Sequence, residues 1–221
     1  MLLVRPPGVY PPQGDSHLLR DALTNAALPP GAAALDVCTG TGLLAVAAAR
    51  LGAGQVSAVD ISASAVLAAR CNAWLRRLPI RVHHGDFLSC AAGRRYDVVT
   101  ANPPYVPCPR HAAWSTRRAR SWDAGEDGRW YLDRLCAAAP HLLKANGMLL
   151  MVHSALCGPA VTVRMLRDTG LKTSVVARRR QPFGPVLLSR AGWLEDQGLI
   201  APGQREEELV VIRADRVPSP S

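Results

Sequence analysis

The run Asn102-Pro103-Pro104-Tyr105 defines a chemistry more narrowly than any other part of the chain. An amide or aniline-like nitrogen is a poor nucleophile because its lone pair is delocalised, yet it carries two N–H donors. The Asn102 side-chain oxygen can accept one. The Pro103 carbonyl, freed from ladder pairing, can accept the other. Together they would position the nitrogen and localise its lone pair toward an electrophilic methyl group. Tyr105 can stack on the planar group, and Pro104 is counted with the motif. No strong base is needed, because the proton can leave after transfer. The motif specifies a planar NH2 acceptor and leaves glutamine, adenine and cytosine open.

A second constellation lies upstream. Asp36-Val37-Cys38-Thr39-Gly40-Thr41-Gly42 follows a short apolar run. Gly40 and Gly42 permit a tight turn and close approach of backbone to a ligand. Asp60, 18 residues past Gly42, can accept both hydroxyls of an adenosine ribose. Gly40, Gly42 and Ala45 also match G-x-G-x-x-A, so a dinucleotide fits the same layout. Two acids favour S-adenosylmethionine. Asp36 would repel a pyrophosphate and suits an ammonium group, and Asp86 is placed to reach an adenine amino group. Ile61 and Phe87, beside Asp60 and Asp86, join the expected cofactor set. No metal site is expected. The cysteines at 38, 71, 90, 108, 136 and 157 form no C-x-x-C pair and have no zinc spacing with the six histidines. They read as reduced, partly buried thiols.

These residues need strand ends to present them. Residues 33–37, 55–59, 80–83 and 96–100 read as buried strands, ending at the glycine turn, Asp60, Gly85-Asp86 and Asn102. Further strands are expected over 147–153, 173–179 and 207–213. Helices are expected over 17–27, capped by Ser16, and over 43–51. Others follow over 62–78, capped by Ser62 and stopped by Pro79, and over 128–139 and 159–169. Segments 106–124 and 180–205 read as irregular. The alternation predicts an α/β fold, a Rossmann-like, seven-stranded, mostly parallel sheet with helices on both faces. The last two strands lack a long helix between them and can pair antiparallel at one edge. One domain is expected: an arm and helix over 1–30, a catalytic core over 31–214 and a tail over 215–221.

Length and composition agree. The chain has 221 residues, 48% of them hydrophobic, enough for a real core. No apolar run reaches the roughly 18 residues of a membrane span, and the N-terminus lacks signal-peptide character, so a cytoplasmic protein is expected. The formal net charge is +9, from 26 Lys+Arg against 17 Asp+Glu. Only Lys144 and Lys172 are lysines; the Arg and Ala bias fits a GC-rich genome as well as a nucleic-acid surface. Arg110, Trp114, Arg117, Arg118 and Arg120, with Arg180, Phe183, Arg190 and Trp193, mark two segments that form either a substrate-docking lid and wall or a solvated loop and packed insertion. Arg178-Arg179-Arg180 reads as a solvated strand end.

The order of motifs resembles class I methyltransferases, and several details resemble the HemK-type protein-glutamine N5-methyltransferases, short branch. Pro12-Gln13-Gly14-Asp15-Ser16-His17-Leu18-Leu19 is similar to that branch's arm, in which the Asp and hydroxyl residue help close the cofactor site. Asn102-Pro103-Pro104-Tyr105-Val106-Pro107 looks like its catalytic motif. Trp122-Asp123-Ala124-Gly125-Glu126-Asp127-Gly128 looks like its segment after the catalytic loop. The resemblance covers about residues 10–180. It implies S-adenosylmethionine as cofactor and a protein glutamine as acceptor, in a release factor's Gly-Gly-Gln loop or in a ribosomal protein. Asn102 would be catalytic, with Pro103 and Tyr105 shaping the acceptor pocket. Asp15, Ser16, Asp36, Gly40, Asp60 and Asp86 would line the cofactor site. Cys38 stands where the family usually has Gly; similar ribosomal-protein glutamine methyltransferases also carry Cys. The long branch's N-terminal helical domain is not expected, and a small zinc-binding activator subunit is a candidate partner. An adenine-N6 methyltransferase acting on DNA or RNA, and a catalytically silent partner subunit, are the competing readings.

Overall fold

A computed structural model describes residues 2–110 and 119–217. Trp114, Arg117 and Arg118 of the expected lid lie outside the described residues, as does the end of the tail.

Seven strands form one sheet: β1 (Ala33–Val37), β2 (Gln55–Asp60), β3 (Ile80–His84), β4 (Tyr96–Ala101), β5 (Leu143–Ser154), β6 (Lys172–Pro182) and β7 (Glu206–Asp215). Their spatial order is β3-β2-β1-β4-β5-β7-β6. The first five are parallel, with Val37 level with Val59 on one side and Ala101 on the other. β7 runs antiparallel to both β5 and β6, so the antiparallel pairing falls at one edge as expected. β7 itself lies one strand in, and β6 forms the rim.

The strands are apolar on both faces because helices cover both. Leu149, Met151, Val210 and Ile212 pack with Leu132, Leu135 and Leu166. These come from α5 (Trp130–Leu142) and α6 (Pro159–Asp168), and Phe87 of the short α4 (Phe87–Cys90) joins them. The alternate residues Met148, Leu150, Val152, Leu209 and Val211 face the other way. They meet Leu19 and Leu23 of α1 (Gly14–Asn25), Leu44 and Ala48 of α2 (Leu43–Arg50), and Val66 and Ala69 of α3 (Ala63–Trp74). Small residues on α2 and α3 let both helices lie close to the sheet.

Several boundaries differ from the expectation, each for a local reason. α1 starts at Gly14, so Ser16 is no cap; it lies in the first turn, with its hydroxyl on the Asp15 carboxylate. Ser62 does cap α3, accepting from the Ala65 N–H, but the helix stops at Trp74 and Arg77 turns with φ +54°. β5 begins at Leu143, because the chain pairs with β4 immediately after α5. The insert before β7 holds two short helices, α7 (Pro185–Ser189) and α8 (Ala191–Asp196). Phe183, Leu187, Leu194 and Ile200 bury each other there in a small separate core.

Candidate active site

The sheet changes direction of winding between β1 and β4. In open α/β sheets ligands bind at that switch, outside the carboxyl ends of the strands. β1 ends in the glycine turn and β4 ends in Asn102, so the two motifs face one another across the switch. Between them opens a cavity of about 820 Å³. It is walled by Cys38–Thr41, Asp60–Ala65 and Asn102–Val106, and roofed by arm residues 7–12. Asp15 and Ser16 reach it from α1.

The acceptor end is ordered by a chain of hydrogen bonds. Asn102 Nδ2 donates to Ser16 Oγ at 3.1 Å, and Ser16 Oγ donates to Asp15 Oδ1 at 3.1 Å. Tyr105 OH donates to the other oxygen, Asp15 Oδ2, at 3.1 Å. This directionality sets the amide of Asn102. Its NH2 is engaged, and its Oδ1 is left as an acceptor at the cavity. Burial raises the Tyr105 hydroxyl well above its usual range, with the Asp15 charge adding to it. Tyr105 is therefore a phenol donor at neutral pH.

The loop after Tyr105 is braced from behind. Val106 N–H donates to the Trp122 carbonyl, and Ala124 N–H returns a bond to the Val106 carbonyl. Gly128 (φ +71°) passes so close that a Cβ would stand 2.4 Å from the Tyr105 carbonyl oxygen. Arg190, at the α7–α8 junction, bonds the Pro107 carbonyl and the fully buried Asp123 carboxylate at 2.5 Å. The insert thus acts as a wall behind the motif.

The glycine turn is held by two carboxylates. Asp60 Oδ2 accepts the Gly40 N–H and Oδ1 the Ser62 N–H, both at 2.9 Å. Burial raises Asp60, and those two bonds oppose the rise. Asp36 is only 2% exposed. Its oxygens are engaged by Thr39 Oγ1 at 2.5 Å, the Ala45 N–H at 3.2 Å and Thr100 Oγ1 at 2.8 Å. Burial pushes its carboxyl up to about 6, and its hydrogen bonds oppose that. Cys38 holds the left-handed conformation (φ +57°), which strains a residue with a Cβ and accounts for glycine being usual there.

The cavity therefore gathers Asp15, Ser16, Cys38, Gly40, Asp60, Ile61, Asn102, Pro103, Pro104 and Tyr105. Asp36, Gly42, Asp86 and Phe87 are not in its lining. Asp36 lies behind the turn and ties β1 to β4. Gly42 packs against Ala69, where a Cβ would meet backbone at 3.2 Å. Asp86 caps α4 through the Leu88 N–H and pairs with Arg134, which also lies over the Phe87 ring. Sequence reasoning missed Tyr10, Thr39, His84 and Tyr131 in the lining. Tyr10 sat in a Pro/Gly-rich stretch without periodicity, yet its ring packs on Trp122 with centroids 6.0 Å apart.

Asp36 gives a testable pH dependence. Its folded pKa lies above the unfolded value, so its contribution to stability is full below about pH 4 and is lost as pH rises through about 6. Without cofactor, wild type should lose about 2–3 kcal/mol relative to Asp36→Asn between about pH 4 and pH 7. Paired thermal or urea unfolding curves would show this; parallel curves would refute it.

No helix among the described residues is long and apolar enough to cross a membrane, and no cluster among them could hold a metal ion.

Comparison with known proteins bears on the family and the fold. A family model for ribosomal protein L11 methyltransferase matches residues 21–103, from the second half of α1 to Asn102-Pro103. A protein of Methanocaldococcus jannaschii, provisionally named protein N5-glutamine methyltransferase, is 34% identical over 185 residues. The match spans 84% of this chain and 92% of that protein. The release factor glutamine methyltransferase of Geobacter sulfurreducens is 31% identical over 84% of this chain and 67% of its own length. Among solved structures, the E. cuniculi Mtq2–Trm112 complex, described as responsible for methylation of the eRF1 translation termination factor, superposes with a TM-score of 0.67. It is 22% identical, covering 95% of this chain and 99% of that one, and it supports the class I methyltransferase fold. The M. jannaschii relative, matched over nearly its whole length, carries the assignment further than fold alone, and the chain belongs to the protein N5-glutamine methyltransferase family of enzymes.

Proposed function

We propose that this enzyme transfers a methyl group from S-adenosylmethionine to the side-chain amide nitrogen of a glutamine in a protein, in a release factor or a ribosomal protein. The observation that carries this reading is the oriented Asn102 amide. Its NH2 is engaged by Ser16, which leaves its oxygen to receive an acceptor N–H.

The cavity suits a cationic, adenosine-bearing ligand. Among the described residues, Asp15, Asp36 and Asp60 have no cationic side chain in salt-bridge contact, so the field around the cavity favours a positive charge. When bound, the cofactor supplies an electrophilic methyl on a sulfonium sulfur. Gly40 and Cys38 offer backbone against it, Asp60 accepts the ribose hydroxyls, and Ile61 covers the nucleoside. Asp36 acts through the turn. Asp86 and Phe87, which lie outside the lining and are engaged by Arg134, would support the adenine end from behind it.

At the acceptor end, Asn102 Oδ1 and the Pro103 carbonyl each take an N–H of the substrate amide. They twist its lone pair out of conjugation and aim it at the methyl carbon. Pro104 keeps the segment out of the ladder, and the Tyr105 ring packs beside the planar group. Held there, the nitrogen would face the methyl that the sulfonium would supply, and no base is needed at Asn102 or Pro103 because the surplus proton can leave to solvent. The arm and helix over 1–30 would close the site and the core over 31–214 would carry the chemistry; Asp215, expected in the tail, instead ends β7. A small activator subunit is a candidate partner, and the similar Mtq2 structure is itself a complex with a second protein, Trm112.

The test uses methyl-labelled S-adenosylmethionine with purified release factors, ribosomal proteins, or nucleic acid. Label on a glutamine is expected. Label confined to adenine would replace this reading with nucleic-acid methylation. Bound cofactor with no transfer to any acceptor, even with an activator supplied, would leave a silent subunit.

A further inference from the structure

The start of the arm that roofs the cavity is held down chiefly by a side chain outside the cavity. Asn72 lies on α3 and is fully buried. Its Oδ1 accepts the Val4 N–H at 2.8 Å, and its Nδ2 donates to the Val4 carbonyl at 2.8 Å. A side-chain amide that meets both backbone groups of one residue replaces a strand partner. The same Nδ2 donates to the carbonyl of Thr41, in the glycine turn, at 3.0 Å. Arg76 adds a bond to Asn72 Oδ1 at 3.3 Å and another to the Leu2 carbonyl.

Packing alone does not call for this residue. Asn72 sits on a helix rich in alanine, and a buried amide is costly unless its polar atoms are paired. All its partners lie either in the arm, in the turn or on Arg76. Downstream of Val4, Val9 is buried against Ala65 and Ala68 of the same helix. Residues 7–12, between this anchor and α1, form the roof. An untethered arm would have to be ordered at each binding event, at a cost in entropy; a tethered one is ordered beforehand.

We propose that Asn72 is a positioning residue for cofactor retention. It latches the arm over the cavity and ties it to the glycine turn, so that roof and floor move together. The inference rests on the reading of the cavity as an S-adenosylmethionine site.

Val4→Pro tests it without touching the core. Val4 is 45% exposed, and the substitution removes the N–H given to Asn72 and sets the ring Cδ against Asn72 Oδ1 in its place. In the full-length protein, S-adenosylmethionine should dissociate about three- to tenfold faster, as expected for one lost hydrogen bond. KM for the cofactor should rise, kcat at saturation should hold, and the melting temperature without ligand should fall by no more than about 2–4 °C. Amide exchange of residues 8–10 in the ligand-free protein should quicken. Asn72→Leu, which keeps the branched shape and the number of heavy atoms and loses every side-chain bond, should accelerate dissociation further. If Val4→Pro leaves both dissociation and exchange at wild-type values, the latch is refuted and Asn72 is an ordinary buried residue. If wild type does not bind S-adenosylmethionine, the functional reading fails, and the exchange comparison alone still decides the latch.

Discussion

Asn102→Ala is expected to lower kcat by about three orders of magnitude while changing the dissociation constant for S-adenosylmethionine by no more than about threefold. The substitution removes the acceptor that orients the substrate nitrogen, and nothing else on β4 can replace it. Pro103 keeps its carbonyl, so a residual rate should remain. Ser16 loses a partner but keeps Asp15, and Asp15 keeps Tyr105. Single-turnover kinetics with cofactor already bound isolates the transfer step, and calorimetry reports binding. Should affinity collapse in proportion to rate, Asn102 would be holding the cofactor rather than the acceptor.

Asp60→Ala should show the opposite profile. It strips the Gly40 and Ser62 N–H groups of their acceptor as well as removing two ribose contacts. Two backbone donors left unpaired at the turn, with the ligand contacts gone, suggest a dissociation constant raised about a hundredfold. At saturating cofactor kcat should stay within about fivefold, because Asn102 and Tyr105 are untouched. A large fall in saturated kcat with unchanged affinity would move Asp60 from binding to catalysis. Together the two variants separate the ends of one cavity.

The parts of this site that were legible in sequence are those built from contiguous residues. Ala33–Val37 reads as a strand because a short apolar run is bounded by Gly31 and the glycine turn, and its bounds match the structure. Asn102 at the end of β4 and Asp60 at the end of β2 follow from the same alternation. Contacts between distant segments were hidden. Asp36 looked free to meet a ligand, yet Thr100, 64 positions away, takes one of its oxygens. Ser16 looked like a helix cap, yet its hydroxyl bridges Asp15 and Asn102, 86 positions on. α7 and α8 were invisible because they are too short to show a period; burial of Phe183 and Leu194 defines them.

The rim of the sheet puts the basic composition to a different use. A rim strand offers unpaired N–H and C=O groups, a template on which another chain can polymerise. β6 is such a strand, and it ends in Arg178, Arg179, Arg180 and Pro182. Arg178 pairs with Glu208 on the adjoining strand and Arg179 with Asp21 on α1. A second copy approaching this edge would meet bulky cations and a residue that cannot donate. Part of the +9 charge thus guards colloidal stability, keeping the sheet from growing beyond its seventh strand.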